Sequence, residues 1–211
     1  MIDQDGYLTF PLYHGTSNLF QASIERQGLG AERDSELFDL SLLQRLAESL
    51  RQPGNETEWW EQNYFLVDPV LEQRVTAGGF NFKHGGVYLS PSESDARGYA
   101  SSSKGSELLT MIFDAHNALK AVDVDASQKI LPEGHRLSEL FRKESKPLLV
   151  TVNRIKAADL RTEKGEPIES QLALMKEYRD VQNLPVALAW QQMNFHFNGN
   201  IPPEHLSLKV E

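Results

Sequence analysis

Two stretches decide how this chain is read: residues 12–17, LYHGTS, and residues 86–100, GVYLSPSESDARGYA. The first ends a run, YLTFPLY (7–13), whose alternation puts Leu8, Phe10 and Leu12 on one face of a strand. Pro11 cannot donate to a ladder, which confines that strand to an edge or places the proline at its end. Ser17 or Asn18 can then cap a helix carrying Leu19, Phe20 and Ile24, and Gly28 or Gly30 can end it. In the second stretch VYLS (87–90) reads as a short strand. Ser92 followed three residues later by Asp95 resembles a capping box, and the helix it starts carries Ala96, Tyr99 and Ala100 on one side.

Outward from these two stretches the pattern stays mixed. Leu37, Phe38, Leu42, Leu43, Leu46 and Leu50 recur at helical spacing over 35–50, and the Pro-Gly pair in RQPGNETE marks a loop. A helix is expected over 59–75, with Trp59 and Trp60 packed against the core. AGGFNFKHGG (77–86) reads as turn, strand, turn, and 106–120 as a helix. LLVTVNRI (148–155) is the clearest strand by its β-branched content. A helix over 169–182 follows, then strands NFHF (194–197) and LSLKV (206–210) around the turn NGNIPPEH. Strands and helices do not alternate in a βαβ rhythm, so a single α+β domain is favoured over a doubly wound sheet.

Composition narrows the chemistry. The 211 residues contain no cysteine, which excludes disulfides, thiolate metal sites and a cysteine nucleophile. The net charge of −9 weighs against a surface built to hold nucleic-acid backbone. No apolar run approaches the ~18 residues of a membrane span, and the N-terminus MIDQDGYLTF lacks a signal-peptide pattern. A cytoplasmic protein is expected, with delivery into another cell also compatible. His84, His116, His135, His196 and His205 show no ligand spacing, so no metal is expected. AGGFNFKHGG is not a phosphate loop, and Glu163, Glu166 and Glu169 read as a solvated charge run.

Three motifs occur in order: Tyr13-His14-Gly15-Thr16, then Gly86-Val87-Tyr88-Leu89-Ser90 with Tyr99 eleven positions after Tyr88, then a late strand before Gly199-Asn200-Ile201-Pro202-Pro203. Together they resemble the ADP-ribosyltransferase superfamily, in its poly(ADP-ribose) polymerase-like branch marked by a histidine, a tyrosine and a third residue. The resemblance implies a split mixed β-sheet with surrounding helices, in one domain over 1–211 with a helical insertion at about 31–78. It implies NAD as co-substrate and transfer of ADP-ribose to a protein or nucleic-acid acceptor, in the manner of a toxin, effector or defence enzyme, with a cognate inhibitor or antitoxin as a further partner. The implied NAD-binding residues are His14, Gly15, Thr16, Tyr88, Ser90 and Tyr99; the implied catalytic residues are His14, Tyr88 and Asn194.

These residue types suit that chemistry. Two tyrosine faces can sandwich a cationic nicotinamide ring. Gly15 lets backbone approach the carboxamide, and the His14 ring can donate to a ribose hydroxyl. Neutral nicotinamide leaves through an oxocarbenium-like state that fixed dipoles and charges stabilise. The family's third motif carries a glutamate. Five residues before Gly199 this chain has Asn194, which shares a face with His196 in a regular strand; Gln191 and Gln192 are the alternatives in another register, and the acidic 163–177 segment is the place left if none of the three serves. Two other readings share the fold: a catalytically silent nucleotide-binding module, and an NAD-using RNA 2′-phosphotransferase with His14, Lys83, Arg97 and Lys104 at the phosphate.

Overall fold

The computed structural model describes residues 1–31, 37–74, 82, 86–181 and 193–211. In chain order its elements are β1 (Leu12–Ser17), α1 (Gln21–Gln27), α2 (Leu40–Leu50), α3 (Glu58–Leu71), β2 (Val87–Leu89), α4 (Glu93–Ser102), α5 (Glu107–Val122), α6 (Val124–Ile130), α7 (Arg136–Phe141), β3 (Pro147–Val152), β4 (Leu160–Thr162), α8 (Glu169–Val181), β5 (Phe195–Phe197) and β6 (Leu206–Val210). The chain is α+β and divides into two units: residues 1–32, 85–105 and 146–211 form one, residues 33–84 and 106–145 the other. All but the first two residues of the 31–78 segment expected as an insertion thus share a unit with 106–145. The turn-strand-turn expected over 77–86 falls almost wholly outside the described residues.

The first unit holds both sheets, ordered β1-β3-β6 and β2-β5-β4. Every described ladder is antiparallel, which corrects the expectation of a mixed sheet. The connection from β1 to β3 returns the chain antiparallel, so it makes no parallel crossover of the βαβ kind. Among the described residues the bridge Tyr13 to Ser90 links the two sheets, with its two backbone hydrogen bonds at 2.7 and 2.8 Å. β3 is the middle strand of its sheet and its leucines and valines are buried: Leu148, Leu149, Val150 and Val152. Phe195 does the same for the smaller sheet, fully buried between β2 and β4.

The strand expected over 7–13 begins only at Leu12; Tyr7 and Leu8 make isolated bridges to Lys156 and Ile2. Pro11 lacks the N–H that would carry the ladder back past it. Ser17 caps a single 3₁₀ turn, accepting from Leu19 N at 3.2 Å, and α1 follows from Gln21. Gly28 ends α1 with φ of +93°, where a side chain would also strike the carbonyl of Ile201. Ser92 accepts from Asp95 N, so the capping reading of α4 holds. Short elements escaped the reading: β4, α6 and α7 were not expected.

The second unit is helical among its described residues. Asp39 caps α2 by accepting from Ser41 N at 2.8 Å, and Leu42, Leu43, Leu46, Ala47 and Leu50 are buried. α5 packs against α2, α3 and α6. Trp59 and Trp60 are half-buried rather than central, and the Arg51 guanidinium lies 5.5 Å from the Trp60 ring centre. Phe113 and Phe141 meet edge to face at 5.0 Å beside a cavity of about 190 Å³ that His116 and Lys120 also line. Burial first, and then Lys120, holds the His116 pKa below its ordinary value. The unfolded chain therefore takes up this proton before the native one does, and stability falls as pH drops through the ordinary histidine range. His116→Gln is expected to flatten that part of the profile, read by urea unfolding at pH 7.5 and 5.5. An unchanged slope would remove His116 as its source. No helix among the described residues is long and apolar enough to cross a membrane.

Candidate functional site

The site lies where the two sheets separate. Side chains of β1 alternate, so His14 and Thr16 share one face with Leu12, while Tyr13, Gly15 and Ser17 take the other. On that second face Gly15 meets α4: a Cβ there would stand 2.0 Å from the carbonyl oxygen of Ala96. Backbone groups alternate in direction too. Tyr13 directs its N–H and C=O to Ser90, so Gly15 directs its own to the same edge, two residues past the Tyr13–Ser90 bridge.

His14 Nδ1 lies 2.9 Å from the carbonyl oxygen of Tyr88. A carbonyl only accepts, so Nδ1 carries the proton, and in the neutral ring Nε2 is the accepting nitrogen. The sequence reading had His14 donating to a ribose hydroxyl; in this tautomer Nε2 receives such a proton instead. Thr16 and Ser90 are buried. The Thr16 hydroxyl donates to Gly105 O at 3.0 Å, and Ser90 Oγ accepts from Ser92 N at 3.1 Å, so both hydroxyls shape neighbouring backbone. Burial raises the Tyr13 phenol above its usual pKa, the Glu93 carboxylate adds to this, and Arg97 opposes it.

Tyr88 stacks on His196, ring centres 5.0 Å apart and planes 30° from parallel. The register accounts for this, since Tyr88, His196 and Arg161 stand directly opposite one another across β2, β5 and β4. The His196 ring reaches over Gly86, where a Cβ would fall 1.7 Å from its Nε2. Gly86→Ala should therefore turn the imidazole off Tyr88 at little cost in stability, because a side-chain tip can move. The check is the ring-current shift of the His196 Cδ2 and Cε1 protons; unchanged shifts would mean that the stack survives. Tyr99 lies on α4, 36% exposed, three residues after Ala96.

Asn194 immediately precedes β5, and its Nδ2 donates to Glu163 Oε1 at 3.0 Å. Gln191 and Gln192, the alternatives for the third motif, lie outside the described residues, as does Lys83. Arg97 pairs with both Glu93 and Glu211, two carboxylates that compete with any phosphate for its guanidinium. No group of three or more His, Asp or Glu side chains suited to a metal occurs among the described residues.

The motif residues of β1 and β2 thus meet at one place, and two side chains join them that the reading had set aside. His196 was noted only as sharing a face with Asn194, and Glu163 was assigned to a solvated run. For His196 the two-residue alternation of β5 was a usable signal. For Glu163 the acidity of 163–177 was the only signal, and it does not single out this residue, because its pairing with Asn194 spans 31 positions. Comparison with protein-family models, curated proteins and solved structures returns no match.

Proposed function

We propose that this chain is an NAD-dependent mono-ADP-ribosyltransferase, which moves ADP-ribose from NAD to a protein or nucleic-acid acceptor. The observation that carries the reading is the split between the sheets. There His14 bonds to the backbone of Tyr88, and Gly15 turns its N–H and C=O past the Tyr13–Ser90 bridge. A planar carboxamide carries one donor group and one acceptor and suits such a backbone edge. In this reading the nicotinamide amide pairs with Gly15, its cationic ring stacks on Tyr88, and a ribose hydroxyl donates to His14 Nε2. Tyr99 closes the pocket from α4. Asn194 marks the third motif, and the buried Thr16 and Ser90 hold the surrounding backbone in shape. The ion pairs of Arg97 weigh against the RNA 2′-phosphotransferase alternative.

One observation favours a second reading, a nucleotide-binding module without turnover: a histidine already covers one face of Tyr88. The experiment that separates the two is titration calorimetry with NAD, run beside nicotinamide release and labelling of cell lysate by biotinylated NAD. Binding with release and label supports the transferase, and binding alone supports the silent module. No NAD binding sinks both. Tyr88→Ala should weaken NAD binding by ~1–3 kcal/mol, the worth of one stacked base in nucleic-acid sites. Unchanged affinity would refute the stacking role.

A further inference from the structure

The transferase reading wants a negative charge beside the nicotinamide ribose, and Asn194 is neutral. A carboxylate stands one strand away. In the ladder of β4 with β5, Arg161 faces His196 and Thr162 faces Phe195, so the next step sets Glu163 beside Asn194. In the ladder of β2 with β5, Tyr88 faces His196 and Leu89 faces Phe195, so the next step sets Ser90 on the other side of Asn194. Leu89, Phe195 and Thr162 share the buried face of this sheet. Tyr88, His196 and Arg161 share the opposite face, and alternation returns Asn194 to it. Both Asn194 and Glu163 are half-buried there, joined by their hydrogen bond of 3.0 Å.

We infer that Glu163, held in place by the Asn194 amide, is the carboxylate that stabilises the positive charge developing on the nicotinamide ribose; this rests on the transferase reading above. In the step it serves, the bond between ribose C1′ and the pyridinium nitrogen breaks. The electron pair stays on that nitrogen, so nicotinamide leaves neutral and the positive charge passes to C1′ and the ring oxygen. A lone pair of the acceptor then bonds to C1′, and the acceptor's proton goes to solvent. Glu163 is unchanged at the end. Asn194 is a positioning residue: its Nδ2 donates to one carboxylate oxygen and fixes the direction of the group. A fixed charge acts most strongly in such a site because it needs no reorganisation as the transition state forms.

The test is single-turnover release of nicotinamide from NAD by the full chain, with NAD affinity measured by calorimetry. Glu163→Gln should slow release on the order of 100-fold while affinity changes less than about threefold, the pattern of an interaction made mainly in the transition state. Asn194→Ala should slow release less, since the carboxylate remains. Asn194→Glu in the Glu163→Gln background should restore release, because the charge returns to the same face from β5. Restoration also excludes a merely structural role for Glu163. Full activity of Glu163→Gln, with NAD binding weakened in Tyr88→Ala, would overturn this inference and leave the transferase reading standing. A Glu163→Gln protein that fails to restore with Asn194→Glu would overturn it as well. A wild-type chain that neither binds NAD nor releases nicotinamide would end the transferase reading and this inference with it.

Discussion

Phe195→Ala should be among the most destabilising single truncations in the first unit. Phe195 is fully buried at the start of β5, the middle strand of its sheet, opposite Leu89 on one side and Thr162 on the other. It belongs to the buried cluster that also holds Val87 and Leu160 of the smaller sheet and Leu172 and Met175 of α8. Removing a buried phenylalanine ring costs about 3–5 kcal/mol, from lost transfer energy and the cavity left behind. For a chain of this size that lowers Tm by about 6–20 °C. Phe197, two residues on and only partly buried, is the internal comparison. Phe197→Ala should cost roughly half as much. Thermal unfolding followed by circular dichroism reads both. Equal losses would mean that Phe195 anchors β5 no more than Phe197 does. Because β5 also carries His196 and adjoins Asn194, Phe195→Ala should loosen the Tyr88 stack before the protein melts.

What the sequence made legible follows from the length scale of each signal. α4 could be read because a cap, three residues and an apolar side suffice to define a helix start, and Ser92 to Asp95 supplies them within four residues. β3 could be read because its leucines and valines lie adjacent. Nothing local in the sequence ties His14 to Tyr88, 74 positions away; only the order of the motifs sets them together, and in the structure His14 Nδ1 lies 2.9 Å from the Tyr88 carbonyl oxygen. β4, three residues long, is too short for alternation to show. α6 and α7, at seven and six residues, complete barely two turns each. Glu163 was misjudged for a related reason. A glutamate beside Lys164 and near Glu166 has the local pattern of a solvated turn, and only the pairing of β4 with β5 brings it to Asn194.

Gly15 was read as room for a ligand, yet the nearest tenant of that room is the protein itself. A Cβ on Gly15 would stand 2.0 Å from Ala96 O, 2.9 Å from Ala100 N and 3.0 Å from the Ala96 carbonyl carbon. All three are backbone atoms of α4, so no rotamer change relieves the clash. The helix as a whole must retreat from β1. The two demands coincide: a helix packed this close to a strand leaves the edge of that strand, rather than its face, for another molecule.

Gly15→Ala is therefore expected to cost at least ~1–3 kcal/mol, the usual range for overpacking, and to lower Tm by several degrees. Gly98, on the same helix, provides the opposite case. A Cβ there meets nothing within 4 Å, and the residue lies inside α4. Gly98→Ala should raise stability by ~0.5–1 kcal/mol, because alanine loses less backbone freedom in a helix. The same methyl group thus acts with opposite signs at two glycines that bear on one helix. Urea unfolding of the two variants and of the double variant measures both effects. If α4 simply shifts, Gly98→Ala adds its gain unchanged in the Gly15→Ala background, since the two methyls share no partner. If α4 unravels when pushed off β1, that gain shrinks, because a frayed helix does not reward alanine. A stable Gly15→Ala protein would show that the approach of α4 to β1 is looser than 2.0 Å implies.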